Sequence, residues 1–476
     1  MKIWLFSSLM LGLFLSGAVS AQSCDEEFVG IDNNVLQVNI LPTGSDDTEN
    51  IQCGLELASA SGIPVVKLQR ATYFIGSVVV SDFSGSFEGT TRDTTVVRML
   101  PDSIDCTAMT AAGQAPAALK FVEGRPSLQF MRIEYDAAVE PCTNGAALRS
   151  LVHLTGTPTG SAECSNDVIF AQVDRIDFAT SGQALGGTFA VEAGPEGAVL
   201  GGCKNTLLGT IKVNRSSFSN FEFAVGTQLR GQAQVDINFN AFNPGDIDNL
   251  TLSDIVLVDT GQSTTVTGNE FSGSSDALNG YTGIFLASLD ANAPSNTRLA
   301  VENNVFNVRG DAAMAVSLGL PVDQQSQTGR ISIAGNEFNL ENIGETGVTG
   351  VFVTDISGGV IVGNRFSGTG VGVFLNAANR AVSDWYIGAN TGLANLDSQV
   401  ADVFFGAGTD NNVVGPGQSA TVLDLGDNSQ LQGGQTVLVV QEPKALGGRS
   451  EDLNAVELER HRRAIVNRLG LMPAVK

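Results

Sequence analysis

The chain has 476 residues, with 26 Lys plus Arg against 50 Asp plus Glu, a formal net charge of −24. That balance excludes nucleic acid as the expected partner, because phosphate binding needs a basic footprint. The 55 glycines, together with abundant Asn, Val, Ile and Phe, argue against a helical or α/β domain and for many short strands joined by frequent turns.

Met1 and Lys2, an apolar run from Ile3 to Leu15 and the small residues Val19-Ser20-Ala21 have the layout of a cleavable secretory signal over residues 1–21. The apolar run is shorter than the roughly 20 residues a spanning helix needs, and no later segment is long and apolar enough to span a bilayer. The signal carries Lys2 and no acid, so cleavage leaves 25 basic against 50 acidic residues, a net charge of −25. The expected location is secreted or periplasmic. The six cysteines, Cys24, Cys53, Cys106, Cys142, Cys164 and Cys203, lie beyond the signal in the first half of the chain. In an oxidising compartment they read as disulfides; nearness alone suggests Cys24 with Cys53, Cys106 with Cys142 and Cys164 with Cys203, although sequence does not choose among the possible pairings. Zinc is disfavoured, since there is no CxxC pair and only His153 and His461 are available.

Residues 22–100 should form an N-terminal cap and the first coils. Within them the segment 41–99 holds Asp46-Asp47-Thr48, Ile51-Gln52 and, further on, Arg70-Ala71-Thr72-Tyr73. It resembles the opening of pectate-lyase-superfamily proteins, which include polygalacturonase-like enzymes and phage tail-spike proteins; the last motif departs from the Pro-Gly-Thr-Tyr usual there. The resemblance implies a right-handed parallel β-helix. Asp46 and Asp47 are expected to cap a helix at about 48–60 with their side-chain oxygens, which makes this carboxylate pair structural.

Residues 101–440 should be the β-helix proper. TVTGNEF at 265–271, LAVENNVF at 299–306, RISIAGNEF at 330–338, VIVGNRF at 360–366 and WYIGAN at 385–390 repeat one pattern. In each, an alternating apolar strand runs into an Asn turn, mostly followed two residues later by Phe. A second strand follows at a similar offset: GIFL at 283–286, AVSL at 315–318, GVFV at 350–353, GVFL at 372–375 and DVFF at 402–405. IKVNRSSF at 211–218 and VDINFNAF at 235–242 are weaker copies. Such coils bury their apolar faces only by stacking. Asn269, Asn304, Asn336, Asn364 and Asn390 should then form a ladder of amides that tolerate a left-handed backbone, with Phe271, Phe306, Phe338 and Phe366 stacked inside.

Residues 441–476 read as a Pro and Gly linker followed by a helix over 450–471, with Ser450 as cap, acids at its start and Arg460, Arg462, Arg463 and Arg468 towards its end. Leu453, Val456, Ile465 and Leu469 offer apolar contacts for docking on the solenoid or on another chain; a basic membrane-surface helix is the other reading.

Chemistry is less legible. Polygalacturonase-like hydrolases carry Asn-Thr-Asp, Asp-Asp, Gly-His-Gly and Arg-Ile-Lys motifs, and none occurs here downstream of the cap. Inverting hydrolysis needs two carboxylates roughly 6.5–9.5 Å apart, for which Asp254, Asp259, Asp276 and Asp311 are the candidates. Pectate-lyase-like elimination needs a cation and a base. Resemblance to that family points to an arginine, and Arg309 is the best placed, with Asp276 and Asp311 as catalytic partners. Asp276, Asp311 and Asp355 are the candidate oxygen ligands for Ca²⁺, the expected cofactor of an enzyme of this kind. Trp385 and Tyr281 are the candidate sugar platforms. The expected function is a secreted polysaccharide-interacting β-helix whose partner is a polysaccharide or cell-surface glycan, with a lyase or a glycoside hydrolase left open. The competing reading is a non-enzymatic structural or adhesion protein of the cell exterior.

Overall fold

The computed structural model describes residues 24–111, 115–136, 139, 141–156, 168–181, 188–194, 208–229, 233–245, 252–275, 280–287, 298–319, 327–344, 347–378, 380–398 and 401–438. The expected signal, Cys164, Cys203, Asp276 and the expected helix 450–471 lie outside the described residues.

The chain is a right-handed parallel β-helix. One coil shows its logic. Ser263–Thr267 forms a first strand, Glu270–Ser274 a second after a two-residue turn, and Tyr281–Leu286 a third. The next coil repeats them as Arg298–Glu302, Val305–Gly310 and Ala313–Leu318, each pairing in parallel with its predecessor. First and second strands stack into two columns of one 23-stranded sheet, and third strands into a separate 13-stranded sheet ending at Gln435–Leu438. Alternation along each strand sends Val266, Phe271 and Ile284 inward to one continuous core running the length of the coil.

The turn between the first two columns carries the Asn ladder. Asn269 Nδ2 donates to Asn304 Oδ1 (2.9 Å), Asn304 to Asn336 (3.0 Å), Asn336 to Asn364 (3.0 Å) and Asn364 to Asn390 (3.0 Å). The ladder extends back to Asn240, and Gln418 Oε1 accepts from the Asn390 amide at its far end (2.7 Å). The left-handed residue is the one before the ladder amide, not the amide itself: Gly268 (φ 68°), Asn303 (56°), Gly335 (65°), Gly363 (65°) and Ala389 (55°). The backbone reverses at that preceding residue, which leaves the Asn side chain pointing along the stack. Inside, Phe178, Phe218, Phe242, Phe271, Phe306, Phe338 and Phe366 form an uninterrupted stack with ring centroids 4.6–5.1 Å apart.

At the N-terminal end the helix Thr48–Ser61 buries Ile51, Leu55 and Ala58 against the first strands. Its start departs from the expected cap. Asp47 makes no side-chain cap bond; its carboxylate accepts the amides of Thr43 (2.7 Å) and Phe74 (3.0 Å), binding the preceding loop and a neighbouring strand to the helix start. Asp46 takes the Thr48 amide instead (2.9 Å). Disulfides join Cys24 to Cys53 and Cys106 to Cys142, the two sequence-neighbour pairs expected among the described cysteines.

Candidate functional site

The outer face of the second column carries an open polar surface. Because Phe306 and Val308 point inward, Asn307 between them and Arg309 after them point out. The same rule sets Asn243, Ser272, Asn307, Asn339 and Ser367 in one outward line across five successive strands. Asn339 Nδ2 donates to Asn307 Oδ1 (3.0 Å), and Ser367 Oγ to Asn339 Oδ1 (2.7 Å), so part of the line is already ordered. A concavity of about 420 Å³ opens over it, lined by Asn243, Gly245, Ser272, Gly273, Ser274 and Asn307. Gly273 is required at its floor: a Cβ there would lie 2.1 Å from the Tyr281 ring beneath.

Arg309 stands beside this line, in register with Ser274 on one side and Glu341 on the other. Its Nε is 3.4 Å from Glu341 Oε1, with both side chains more than half exposed. In such an exposed pair the arginine is held only weakly and remains available to a ligand. A parallel outward line runs Glu270, Val305, Glu337 and Arg365. The face thus offers amides, hydroxyls and a few charges of both signs.

Among the described residues, the expected partners Asp311 and Asp355 take structural positions. Asp311 is buried at the turn before the third-column strand Ala313–Leu318, where its carboxylate accepts the Gly347 amide (3.2 Å) and its carbonyl accepts Ser275 Oγ (2.8 Å). Asp355 follows the third-column strand Val348–Thr354, in a left-handed bend (φ 54°), and accepts the Arg380 amide (3.0 Å). Asp311 and Asp355 therefore sit at opposite ends of that column, roughly 20 Å apart by strand length, and cannot ligate one ion. Among the described residues no three His, Cys, Asp or Glu side chains come together to hold a metal.

Both expected sugar platforms are core residues. Trp385 is fully buried, with its indole N–H donated to the Ile356 carbonyl (2.9 Å). Tyr281 is also fully buried and donates its hydroxyl to Asp254 Oδ2 (2.5 Å). The physical reason is the strand alternation: an aromatic at an inward position fills the coil, and it is the next residue, Tyr386, that reaches the surface. Asp254, a carboxylate candidate, is enclosed with Tyr281; burial pushes its carboxyl up to about 7, against the lowering effect of the Tyr281 hydrogen bond.

Sequence reasoning passed over a second polar group, on the outer face of the third column. Lys120, His153 and Glu192 occupy matching positions on three adjacent strands. Arg149 closes on Glu192 with Nη2 at 2.7 Å and Nε at 3.0 Å and lies over the Phe189 ring, 4.8 Å from its centroid. Burial raises the Glu192 carboxyl, but the Arg149 guanidinium and the His153 imidazole outweigh it and hold the group below the usual carboxylate range. Lys120 and His153 are at most 3% exposed, so a polymer does not reach them without displacing their cover. The signal for this group was a histidine and a lysine at the centre of otherwise apolar strands.

No protein-family model matches the chain, and no curated protein matches it. Among solved structures it is similar to the Dettilon tailspike protein, with 13% identity, 83% of this chain and 68% of that one covered, and a TM-score of 0.46. It is similar also to the A-modules of two Azotobacter vinelandii mannuronan C-5 epimerases. For AlgE6 the identity is 13%, with 83% of this chain and 96% of that one covered and a TM-score of 0.36; for AlgE4 it is 14%, with 83% and 94% covered and a TM-score of 0.38. These scores lie below 0.5. The parallel β-helix stands on the strand pairing itself.

Proposed function

We propose that this is a secreted polysaccharide-binding β-helix that holds an extended glycan along the outer face of the second strand column. The observation that carries this reading is the open concavity over Asn243, Ser272 and Asn307, continued by Asn339 and Ser367 on the next two coils. Primary amides and hydroxyls each donate and accept, as sugar hydroxyls do. Repeated at about 4.8 Å from strand to strand, they offer a linear polymer the same contacts at every step. Arg309 supplies a cation for a carboxylate or sulfate on the chain. Glu270, Glu337 and Glu341 disfavour a densely acidic polymer unless Ca²⁺ bridges it, and Ca²⁺ is proposed in that bridging role, without a dedicated protein cage.

The test is titration of the mature protein against acidic and neutral polysaccharides, with and without Ca²⁺, following binding by calorimetry and cleavage by unsaturated and reducing ends. Asn307→Ala combined with Asn339→Ala should weaken binding about tenfold or more, corresponding to about 1.4 kcal/mol. Arg309→Ala should weaken only acidic ligands. Wild-type affinity in the double variant, or no binding across the panel, would sink the reading and leave a structural or adhesive role. Unsaturated ends that depend on Arg309 would extend the same face from binding to elimination.

A further inference from the structure

The outer face of the third column is itself a core, since Val256, Phe285, Phe352 and Phe374 are at most 4% exposed. The corner between the first and second columns is the opposite case. On nine successive coils the chain turns there through a residue in the left-handed region. The last five use Gly268, Asn303, Gly335, Gly363 and Ala389, small residues or an asparagine that such a backbone tolerates. The first four carry large side chains instead: Phe130 (φ 58°), Arg175 (54°), Arg215 (50°) and Phe239 (59°). A bulky residue at positive φ is an outlier, and strain of this kind clusters where a side chain serves a ligand.

The four form one ridge. Strand register sets Phe130 beside Arg175, Arg175 beside Arg215 and Arg215 beside Phe239, a run of about 14 Å at about 4.8 Å per strand. The Arg175 guanidinium lies over the Phe130 ring, 5.1 Å from its centroid. The Phe239 ring rests on Gly268 of the next coil, where a Cβ would come within 2.7 Å of it. Phe239 is nevertheless 65% exposed, and among the described residues no large apolar side chain is more so. Arg215 holds the buried Asp174 carboxylate through Nε and Nη2 at 2.8 Å each, which leaves Nη1 outside that pair, and Arg175 Nη1 lies 3.6 Å from the same carboxylate. Two guanidiniums, 40% and 48% exposed, thus share one carboxylate, while Asp177 on the following strand segment is tied to Arg92 (2.8 Å). The ridge keeps an excess of positive charge on a chain whose net charge is −24. We propose that it is a further carbohydrate site, one that takes an acidic sugar residue. The open face of Phe239 receives the apolar C–H face of the sugar ring, and Arg175 with Arg215 takes its carboxylate or sulfate. The site uses none of the side chains of the second-column face and does not rest on that reading.

The experiment is calorimetric titration of the full mature protein with alginate as a carboxylated probe, chondroitin sulfate as a sulfated one and dextran as a neutral one. Phe239→Asn and Arg175→Asn install the residue that the same turn carries at 303. Each should weaken binding of the acidic probe about tenfold and leave dextran unchanged; which acidic probe binds tells carboxylate from sulfate. Phe239→Asn should also keep or raise the guanidinium midpoint, because Asn suits a left-handed turn better than Phe. A lowered midpoint would mean that the ring holds the corner together, and it overturns the proposal. So do unchanged affinity in both variants, a dextran affinity that falls with them, and a wild type that binds neither acidic probe. Binding lost in the Asn307→Ala, Asn339→Ala protein but kept in the ridge variants strikes the ridge alone, and the reverse pattern strikes only the second-column face.

Discussion

Asn304 sits mid-ladder, and replacing it with alanine isolates what one rung contributes. Its Nδ2 donates to the Val266 carbonyl (2.8 Å) and to Asn336 Oδ1 (3.0 Å), while its Oδ1 accepts the backbone amide and Nδ2 of Asn269 (2.9 Å each). Asn336 Oδ1 keeps the Asn304 backbone amide, and Asn269 Nδ2 keeps the Ile237 carbonyl, so these two are only partly deprived. The Val266 carbonyl and the Asn269 amide lose these partners at a site 1% exposed. An unsatisfied buried group costs about 1–3 kcal/mol. Two such groups, less the desolvation cost of the amide removed, give an expected loss of about 2–5 kcal/mol. Asn307→Ala, three residues away and facing out, removes one partly buried bond to Asn339 and should cost less than about 1 kcal/mol. The assay is guanidinium unfolding followed by circular dichroism. It is paired with hydrogen exchange, because stacked coils can unfold in parts; the coils on either side of Asn304 should lose protection first. A loss below about 1 kcal/mol for Asn304→Ala, or one equal to that of Asn307→Ala, would refute the view that the ladder is a structural element of the stack.

Two further outcomes follow from buried groups and covalent links. Burial raises the Asp254 carboxyl from 3.8 to about 7, so the folded state favours the protonated form; the stability it contributes is complete below about pH 4 and is lost as pH rises through about 7. Over that window the linkage amounts to about 4 kcal/mol, and Asp254→Asn should gain on the wild type by up to that amount as pH rises, measured as the difference between their unfolding free energies. Opening the Cys106–Cys142 disulfide by a double serine substitution frees a loop closed over a sequence separation of 36 and should cost about 4 kcal/mol, read as a lower denaturant midpoint; an unchanged midpoint would mean that the unfolded chain is already held compact there.

The candidate site was legible only in part. Arg309 was found because arginines are sparse in the repeats, and it stands on the open polar face. Its neighbours Ser272, Asn307 and Asn339 were passed over, because each looks like an ordinary polar alternate in a strand. They become a line only when successive coils fall into register. Asp311 and Asp355 looked equivalent beside the third-column strands, yet one precedes its strand and the other follows it. Trp385 and Tyr281 were chosen by residue type, whereas their burial was decided by strand phase, since a shift of one residue exchanges inside for outside.

The repeat itself was determined by the sequence. Alternating apolar residues, an Asn at the turn and a Phe two residues on recur because every coil meets the same neighbours above and below, so one local pattern is printed many times along the chain. Local chemistry was therefore enough to give the β-helix, the ladder and the aromatic stack. What only the tertiary structure decided were relations between coils: which carboxylates meet, which aromatics turn inward, where the polar face opens, and that the outer side of the third column is itself a core. Those depend on loop lengths that vary from coil to coil and on the register they impose, and no single coil contains that information.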